Sequence, residues 1–328
     1  MTLSIVILCW NDLAVISNCL QSIFAGSSLT DFEVIVSDNG STDGSVEYIR
    51  KTYPAAQVIE NGANLRFSKG NNVGIERSTG EYVLILNPDT IIHEGALDRW
   101  VAFADEHPEA GAFGCRVLNP DGSYQGSAQP FPSLGGDLIG ALYLRPLTRL
   151  LPSLPSDTYT RWNGDSERTI DWQCGCCVML RRDVLKSIGG FDERFFYYYE
   201  DVDICHQVWK TGYTVRYTPD VTITHLGGQS TQRAPHAFEI DKYRNRYRYF
   251  YKYYGPTGAS RCRLVSLTSL ILRYCGYTLV AVATLNPRLK DRLALYKTAI
   301  RWNWRVNPIS LVENGADPAR QSAPIPQA

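Results

Sequence analysis

Apolar runs and helical patterns alternate over the first 120 residues. Five short apolar runs predict strands: Leu3–Trp10, Phe32–Ser37, Gln57–Glu60, Tyr82–Leu86 and Ala110–Leu118. Four segments between them have helical spacing: Ala14–Phe24, Ser41–Tyr53, Lys69–Ser78 and Gly95–Glu106. The first run is continuous, as in strands buried on both faces, and Ser41 is the predicted N-cap of its helix. This order predicts an α/β fold with a mostly parallel central sheet flanked by helices.

The pattern breaks down over residues 119–168, which are dense in Pro, Gly and Ser. A long irregular stretch of this kind is typical of a functional loop or a mobile lid. Regular patterns then return, with predicted elements at Ile170–Arg181, Asp201–Thr211 (helix), Thr214–Tyr217 and Val221–His225 (strands), and Ala237–Tyr254 (an aromatic and basic helix).

The C-terminal part has a different character. Leu264–Leu285 is mostly apolar and about long enough to span a bilayer, but it contains Arg273 together with Ser, Thr and Gly, and basic residues follow it. These features favour amphipathic helices that pack on the preceding domain or lie on a membrane surface, and a structural helical cap fits equally well. The tail from Gly315, rich in Pro, Ala and Gln, is predicted to be disordered.

Charge and cysteine content narrow the range of possible functions. Lys plus Arg and Asp plus Glu number 33 each, so the neutral chain lacks the positive surplus that non-specific nucleic-acid binding needs. Nine cysteines are present, and Cys174, Cys176 and Cys177 raise the question of zinc. No second Cys/His pair at finger-like spacing follows them, which favours buried thiols in a reducing compartment. Met1–Ser4 shows no basic region or cleavage site, so no signal peptide is expected.

Polar residues follow three of the predicted strands. They are Asn11 and Asp12, the segment from Asp38 to Ser45, and Asn87–Asp89. Such residues often only form turns and caps, but the carboxyl ends of parallel strands meet at one edge of a sheet, where ligands bind. Neither a Gly-x-Gly-x-x-Gly nor a Walker loop is present. A nucleotide would then be held by carboxylates and a metal, with Asp38 on the base or ribose and Asp89 on Mg²⁺ or Mn²⁺.

A second acidic cluster runs from Gly189 to Asp203 and surrounds an aromatic stretch. Glu200, Asp201 and Asp203 either cap a helix or supply a general base that deprotonates an acceptor hydroxyl. The aromatic residues would form a platform for sugar rings. His225 ends a predicted strand, where it is either a structural histidine or completes an oxygen-rich metal site.

These motifs together resemble glycosyltransferase family 2, the inverting enzymes with a GT-A fold. The matches run in order through residues 3–255: Trp10-Asn11, Asp38–Ser45, Asn64–Gly74, Leu86–Asp89, Gly189–Glu193, Glu200–Asp203 and Pro219–His225. Each motif alone is weak to moderate, whereas the ordered set is specific. Asn87 stands where the family's metal motif has its first Asp, and Arg66 stands where the family usually has Gly.

The resemblance implies roles for individual residues. Asp201 would be the general base, with Glu200 or Asp203 as substitutes, and Asp89 with His225 would hold Mg²⁺ or Mn²⁺. The remaining donor contacts would come from Asn11, Asp38, Asn39, Asn64, Lys69, Asn72, Asn87 and Arg244. The acceptor contacts would come from Trp172, Asp192, Glu193 and Tyr198. In the inverting reaction the acceptor oxygen attacks the anomeric carbon opposite the leaving diphosphate, so no covalent intermediate is needed.

Within the family, the spacing of Phe195-Phe196-Tyr197 before Glu200-Asp201 is similar to bacterial rhamnosyltransferases of O-antigen, capsule or cell-wall synthesis. The implied donor is dTDP-L-rhamnose, with a UDP-sugar as the alternative, and the implied acceptor is a lipid-linked glycan. The implied location is cytoplasmic and peripheral on the inner membrane. A sugar nucleotidyltransferase, a non-catalytic scaffold and a C-terminal lectin-like module remain competing interpretations, and the oligomeric state stays open.

The implied domain plan has three parts. Residues 1–255 would form the catalytic domain, with a nucleotide-sugar half at 1–118 and an acceptor half at 119–255. Residues 256–314 would form a helical extension, and residues 315–328 the tail.

Overall fold

The computed structural model describes residues 1–26, 30–151, 153–227, 235–284, 289–315 and 317. The strands are β1 (Leu3–Cys9), β2 (Phe32–Asp38), β3 (Ala56–Glu60), β4 (Tyr82–Leu86), β5 (Thr90–Ile92), β6 (Ala110–Leu118), β7 (Ala128–Gln129), β8 (Arg168–Ile170), β9 (Trp172–Gln173), β10 (Cys177–Arg181) and β11 (Thr214–His225). The helices are α1 (Leu13–Ala25), α2 (Ser45–Thr52), α3 (Arg66–Arg77), α4 (Ala96–Glu106), α5 (Leu134–Ala141), α6 (Arg145–Leu150), α7 (Arg182–Ser187), α8 (Glu200–Lys210), α9 (Pro235–Thr284), α10 (Leu289–Arg305) and α11 (Pro308–Glu313).

The central sheet has the strand order β3-β2-β1-β4-β10-β6-β11-β5, with β8 paired to β11. The first four strands of this order are parallel to one another, as are β6 and β11. Strand β10 is antiparallel to both of its neighbours, β4 and β6, and β5 is antiparallel to β11. The sheet is therefore mixed around a parallel half, and the predicted α/β class with flanking helices is confirmed.

The core forms where the apolar strand faces meet the helices. Ile5, Ile7 and Leu84 on the parallel strands are fully buried, as is Trp100 on α4. Helix α3 approaches β1 so closely that a Cβ at Gly70 would lie 2.4 Å from Cδ1 of Leu8. Glycine at this position lets α3 pack closely against β1 without displacing the side chains of Leu8 and Asn39.

Most predicted elements are confirmed within a few residues, and Tyr82–Leu86 and Ala110–Leu118 match to the residue. The predicted N-cap Ser41 is wrong, because α2 begins only at Ser45, after Gly44 in a left-handed conformation (φ 87°). The hydroxyl of Ser41 instead accepts a hydrogen bond of 2.9 Å from the backbone N–H of Asn11. The strands predicted at Thr214–Tyr217 and Val221–His225 are confirmed in position, but they are not two separate elements.

One continuous strand, β11, covers both segments, with a register shift between Thr218 and Thr222 that accommodates Pro219. The stretch predicted to be irregular, residues 119–168, contains the short elements β7, α5 and α6. Predicted helix Ala237–Tyr254 is the first part of α9, which is interrupted by a non-helical backbone at Gly255 followed by Pro256.

The chain divides into two compact units. The first contains Met1–Phe131, Trp162–Phe196 and Glu200–Gln229, and it holds the central sheet. The second contains Pro132–Arg161, Tyr197–Tyr199 and Ser230–Ala328, in which Asp137 of α5 forms an ion pair with Arg246 of α9. The predicted domain boundaries stay a prediction, and the predicted tail lies outside the described residues except for Gly315 and Asp317.

Within the described residues, α9 from His236 to Thr284 is the helix whose length and composition would allow it to cross a membrane. Only 11% of its most apolar window is buried. Length and composition alone are weak evidence for a span.

Candidate active site

The ends of three adjacent parallel strands bring the first group of predicted residues together. Strand β1 lies between β2 and β4, with Cys9 opposite Asp38 and Ile7 opposite Leu86. Asn11 follows β1, Asp38 ends β2, and Asn87 and Asp89 follow β4. Since all three strands are parallel, these side chains lie along one edge of the sheet, where open α/β sheets bind ligands.

One carboxylate oxygen of Asp38 accepts hydrogen bonds, and the other has no partner among the described residues. Its Oδ2 accepts hydrogen bonds of 2.9 Å from the backbone N–H groups of Gly40 and Ser41, and the left-handed Gly40 (φ 78°) allows this tight turn. The side chain is 2% exposed, and its Oδ1 has no hydrogen-bond partner among the described residues. A buried acceptor without a partner is costly, so Oδ1 is suited to a donor group on a ligand.

Two asparagines tie the loops at this edge to one another. Oδ1 of Asn11 accepts a hydrogen bond of 2.8 Å from the backbone N–H of Thr42. The amide of Asn39 donates to Oδ1 of Asn64 (3.3 Å) and to the carbonyl of Arg66 (3.2 Å). Both side chains therefore position loops, while Lys69 is exposed on α3. Asn11, Asn39, Asn64 and Lys69 stay predicted donor contacts.

Asp89 and His225 face each other across 3.3 Å, measured from Oδ1 to Nε2. The pairing follows from the strands, because His225 ends β11 and the next backbone N–H, of Leu226, donates to the carbonyl of Asp89 (2.9 Å). Nδ1 of His225 lies 2.7 Å from Oε1 of Gln125. Both side chains are mostly buried: that of Asp89 is 11% exposed and that of His225 is 14% exposed.

This pair fits a divalent cation. A carboxylate oxygen and an imidazole nitrogen are ligands for Mn²⁺, and a carboxylate is also a ligand for Mg²⁺. The described residues contain no group of three or more His, Cys, Asp or Glu side chains placed to hold a metal. A cation at Asp89 and His225 would thus leave coordination positions open for a diphosphate and water.

The predicted base segment begins helix α8. Glu200, Asp201 and Asp203 all lie in its first turn, where the helix dipole favours negative charge. Asp201 accepts hydrogen bonds from the backbone N–H of Gly175 (3.1 Å, to Oδ2) and of Val202 (2.8 Å, to Oδ1). A Cβ at residue 175 would lie 3.3 Å from that of Asp201, so glycine allows the close approach. Asp203 accepts from Nε2 of Gln207 at 2.9 Å.

The neighbouring carboxyl groups of Glu200 and Asp201 differ in burial and in their hydrogen bonds. Glu200 is 8% exposed and its Oε2 has no hydrogen-bond partner among the described residues. Burial, with the Asp201 carboxylate beside it, raises the pKa of Glu200 well above its usual value. Burial also raises the pKa of Asp201, while its two backbone hydrogen bonds act in the opposite direction. Asp201 is therefore the oriented, more accessible carboxylate, and Glu200 is the one that retains its proton to higher pH.

One short segment connects Asp201, the predicted base, to the end of β4. Gly175 donates its backbone N–H to Asp201, and the carbonyl of Cys176, the next residue, accepts the backbone N–H of Asn87 at 2.9 Å. The carbonyl of Asn87 in turn accepts a hydrogen bond of 2.7 Å from the hydroxyl of Thr90. Thus Asp201 and the loop that carries Asp89 are held by adjacent residues of the same segment.

The loop's cysteines are free thiols. Cys176 and Cys177 are buried, and Sγ of Cys177 lies 3.3 Å from Sγ of Cys115 on the neighbouring strand. Burial raises the pKa of Cys177 well above its usual value, and burial likewise raises the pKa of Cys115. Their surroundings are those of small apolar side chains in a core.

The predicted acceptor segment is held against α3. The side-chain amide of Asn72 donates to the carbonyl of Phe191 and accepts its backbone N–H, both at 2.9 Å. Asp192 forms a two-pronged ion pair with Arg194, at 2.9 and 2.6 Å. Glu193 is exposed, and its Oε1 lies 3.3 Å from Nδ2 of Asn72. Asn72 was predicted as a donor contact, but both ends of its amide bind this segment.

Trp172 and Tyr198 lie in different surroundings. The indole N–H of Trp172, on β9, donates to the carbonyl of Pro130 at 2.8 Å. Tyr198 is 39% exposed, and it and Tyr199 have left-handed backbones with φ of 66° and 71°. Two consecutive non-glycine residues in this region are unusual, and such strain is often found at functional sites. They immediately precede Glu200.

Arg244 belongs to the second unit, where it forms ion pairs with Asp241 and Asp317. The residues predicted for the base, the metal and the nucleotide, other than Arg244, belong to the first unit. Sequence reasoning missed Gln125 and Gly175. Neither lies in a recognisable motif, and each acts through a residue far away in the chain, so no local signal marked them.

Comparison with known proteins gives a consistent result. Residues 4–189 match the family described as Glycosyl transferase family 2, and residues 166–312 match Glycosyl transferase family group 2. N-acetylglucosaminyl-diphospho-decaprenol L-rhamnosyltransferase of Mycobacterium tuberculosis is 34% identical over 215 residues, or 62% of this chain and 69% of that protein. Rhamnosyltransferase WbbL of Escherichia coli is 25% identical over 204 residues, or 59% and 72% of the two chains.

Two solved structures share the fold. The mannosyltransferase PcManGT from Pyrobaculum calidifontis, in complex with GDP-Man and Mn²⁺, has a TM-score of 0.57 at 18% identity and covers 92% of this chain and 87% of its own. S. aureus TarS 1–349 in complex with UDP-GlcNAc has a TM-score of 0.52 at 16% identity, with coverage of 96% and 92%. At these identities the likeness concerns the fold.

Proposed function

This chain belongs to glycosyl transferase family 2, and we propose that it transfers L-rhamnose from dTDP-L-rhamnose to a hydroxyl of a growing, lipid-linked bacterial glycan. The observation that carries the proposal is the 34% identity to a protein named as an L-rhamnosyltransferase of N-acetylglucosaminyl-diphospho-decaprenol. WbbL, named as a rhamnosyltransferase, supports the same sugar, and RfbC of Myxococcus xanthus, named as an O-antigen biosynthesis protein, supports a bacterial glycan as the product.

Asp38 is the proposed contact to the base of the donor. Thymine carries one ring N–H donor, and Oδ1 of Asp38 is a buried acceptor without a hydrogen-bond partner among the described residues. Its other oxygen is held by Gly40 and Ser41, so Oδ1 keeps a fixed direction. Uracil has the same N–H, and a UDP-sugar is therefore the alternative donor.

Asp89 and His225 are the proposed metal ligands. Their facing Oδ1 and Nε2 atoms, 3.3 Å apart, form a donor set suited to Mn²⁺ and, through the carboxylate, to Mg²⁺. A cation bound there would offset the negative charge that develops on the departing diphosphate. Asn87 contributes no carboxylate, and its backbone holds the loop in place through Cys176 and Thr90.

Asp201 is the proposed general base. Its carboxylate, oriented by the N–H groups of Gly175 and Val202, accepts the proton of the acceptor hydroxyl as that oxygen attacks the anomeric carbon. The new glycosidic C–O bond forms on the face opposite the bond to dTDP, which breaks, so the configuration inverts. Burial, with Asp201 beside it, raises the pKa of Glu200 strongly, so Glu200 holds its proton to higher pH and limits the negative charge next to Asp201.

The remaining assignments are proposals of the same kind. Trp172, Asp192, Glu193 and Tyr198 would contact the acceptor, and Arg244 the donor diphosphate. Residues 1–255 would form the catalytic domain and residues 256–314 an extension that contacts the cytoplasmic face of the inner membrane.

The distribution of exposed apolar side chains supports the membrane contact. Among the described residues, every exposed large hydrophobic side chain except Met1 belongs to the second unit. Leu264, Leu279 and Val282 on α9 are 65%, 72% and 71% exposed, and Leu150 at the end of α6 is 73% exposed. Residues 235–328 also contain 15 Lys and Arg against 5 Asp and Glu. Exposed apolar surface with surplus positive charge is the chemistry that binds an anionic bilayer.

The donor is tested by thermal shift of the full chain with Mg²⁺ or Mn²⁺ and, separately, dTDP-rhamnose, UDP-galactose, UDP-N-acetylglucosamine, GDP-mannose and NAD. A metal-dependent rise of the unfolding temperature with dTDP-rhamnose is expected. A rise with one UDP-sugar in its place would select the alternative donor. No rise with any of them would count against the proposal and raise the standing of a non-catalytic scaffold.

The membrane contact is tested by flotation with vesicles. The full chain is expected to float with vesicles containing phosphatidylglycerol and much less with neutral phosphatidylcholine vesicles. A variant carrying Leu264→Ser, Leu279→Ser and Val282→Ser should lose most of its flotation and keep its unfolding temperature, since all three side chains are exposed. Unchanged flotation of this variant would remove α9 from the membrane contact.

A further inference from the structure

A chain of hydrogen bonds leads from Asp121 to His225. The hydroxyl of Ser123 donates to Oδ1 of Asp121 (2.6 Å), and the amide of Asn119 donates to Oγ of Ser123 (2.9 Å). The amide of Gln125 donates to Oδ1 of Asn119 (2.9 Å), and Oε1 of Gln125 lies 2.7 Å from Nδ1 of His225. These residues belong to the first unit, in the turn after β6 and at the end of β11.

The carboxylate of Asp121, at one end of this chain of hydrogen bonds, determines which group donates in each of them. An ionised carboxylate only accepts, so Ser123 must donate to Asp121, and its Oγ is then left to accept from Asn119. The carbonyl oxygen of Asn119 is consequently the atom that faces Gln125, and Nε2 is the end of Gln125 that points to it.

A second, independent contact gives the same orientation of Gln125. Its Nε2 also donates to the backbone carbonyl of His225 at 3.2 Å, and a carbonyl has no proton to offer. The Gln125 amide is therefore fixed from two sides, with its oxygen toward the imidazole. An oxygen that only accepts requires a proton on Nδ1 of His225.

A proton on Nδ1 of His225 determines the state of the other ring nitrogen, Nε2. In the neutral ring a proton on Nδ1 leaves Nε2 with a lone pair, and Nε2 lies 3.3 Å from the carboxylate oxygen Oδ1 of Asp89. Two lone pairs that face each other repel unless a cation lies between them. The opposite tautomer would place an N–H between the ring and Asp89 and would block the metal.

We propose that Gln125 is a positioning residue that holds His225 in the Nδ1–H tautomer, so that Nε2 and Asp89 together offer lone pairs to a divalent cation. This inference rests on the proposed metal-dependent function, which it deepens. A residue that orients a histidine ligand in this way typically changes metal affinity by about 10- to 100-fold when it is removed.

The tautomer is measured without any metal. Full-length protein labelled with ¹⁵N-histidine is studied by long-range ¹H–¹⁵N correlation at about pH 8.5, some two units above the ordinary imidazole pKa of about 6.5. Five histidines are present, and His225→Asn identifies the signals of His225 by their loss. The wild type is expected to show a protonated Nδ1 and an unprotonated Nε2 at His225.

Two substitutions of Gln125 then separate positioning from structure. Gln125→Met keeps the length of the side chain and removes the acceptor, so the His225 signals should move toward the Nε2–H tautomer. Gln125→Glu keeps an oxygen that accepts from Nδ1 and should retain the wild-type tautomer, while it loses the N–H groups that Gln125 gives to Asn119 and to the carbonyl of His225. Thermal unfolding of both variants shows whether either change acts through the fold alone.

Metal affinity is the second readout. Free Mn²⁺ is titrated by electron paramagnetic resonance in the presence of dTDP, and Gln125→Met should weaken Mn²⁺ binding by about 10- to 100-fold, whereas Gln125→Glu should not. An Nε2–H tautomer in the wild type, or unchanged Mn²⁺ affinity in Gln125→Met, would overturn the inference. If the wild type binds no Mn²⁺ at all, the metal-dependent function fails, and a wild-type Nε2–H tautomer in the metal-free spectrum would show that Gln125 does not set the ring either.

Discussion

The backbone N–H of Gly175 donates a hydrogen bond of 3.1 Å to Oδ2 of Asp201. The carbonyl of the following residue, Cys176, accepts the backbone N–H of Asn87. Gly175 and Cys176 thus contact both the carboxylate proposed as the base and the loop that carries Asp89. The backbone of one short segment therefore helps to set the position of Asp201 relative to that loop.

Asp201→Asn is expected to lower the rate of transfer by about 10²- to 10⁴-fold, because the amide cannot take the acceptor's proton. Its oxygen can still accept the N–H of Gly175, so the fold and the donor site should persist. Single-turnover transfer and calorimetric binding of dTDP measure the two effects. Asp220→Asn, the same change at an exposed position of the same unit, is the matched control. Loss of dTDP binding by folded Asp201→Asn would give Asp201 a different role.

Glu200→Gln is expected to raise stability at neutral and alkaline pH. Burial raises the pKa of Glu200 well above its usual value, so the folded state keeps a proton that the unfolded state has released. The free energy of unfolding of the wild type then falls as pH rises from the usual glutamate pKa of about 4.3 to the raised value. Glutamine stays neutral and avoids this loss.

The measurement is the unfolding temperature of both proteins across that pH range. The curves should meet at acid pH, where Glu200 is protonated in the folded and the unfolded state alike, and should separate as pH rises. A constant offset at every pH would mean that the substitution acts through packing and not through the ionisation of Glu200.

Asp38→Asn is expected to weaken dTDP and UDP binding by about 10- to 100-fold. The asparagine oxygen would take the N–H groups of Gly40 and Ser41, which turns the NH₂ group toward the ring N–H of the base. Two facing donors leave a buried group unsatisfied, at a cost of about 1–3 kcal/mol. CDP, whose cytosine has an acceptor at that ring position, should lose less affinity.

Calorimetry with dTDP, UDP and CDP makes the comparison. Asp43→Asn is the control in the same loop, since Asp43 accepts from the backbone of Leu13 and Ser45 and has a local structural role. This control should leave the preference between bases unchanged. Equal losses for all three nucleotides in Asp38→Asn would contradict a contact between Asp38 and the base.

Arg66→Gly is expected to change the free energy of unfolding very little. Arg66 has a left-handed backbone (φ 70°), which costs a non-glycine residue roughly 1–2 kcal/mol. Its guanidinium lies 4.3 Å from the ring centroid of Phe196, and both residues are half-buried, so the cation–π contact contributes about 1 kcal/mol. Glycine relieves the strain, but it removes the contact and gives the unfolded chain more conformational freedom, which costs about 0.4–1 kcal/mol, so these effects largely offset one another.

A double-mutant cycle in urea separates them. Phe196→Leu should destabilise the wild type more than it destabilises Arg66→Gly, because only the wild type has the cation–π contact to lose. Equal effects in the two backgrounds would show that the contact contributes nothing to stability.

The sequence predicted most of the sheet and much of the site. Buried parallel strands are nearly continuous apolar runs, so Tyr82–Leu86 and Ala110–Leu118 were bounded to the residue. Once the strands were known, their shared direction placed Asn11, Asp38 and Asp89 at one edge. The departure of Arg66 from glycine also corresponds to the left-handed backbone found there.

Contacts between distant segments were decided by the tertiary structure. Ser41 was predicted to cap α2 because capping residues are recognised locally, but its hydroxyl binds Asn11 on a neighbouring loop. Gln125 reaches His225 across 100 positions of sequence, and Gly175 reaches Asp201 across 26. The hydrophobic periodicity of a segment indicates which face of that helix or strand is buried. A hydrogen bond between two loops depends instead on where the folded chain places each loop. The sequence by itself therefore determined the parallel strands, the polar residues that follow them and the family. Only the tertiary structure decided which neighbours orient His225 and the proposed base, Asp201.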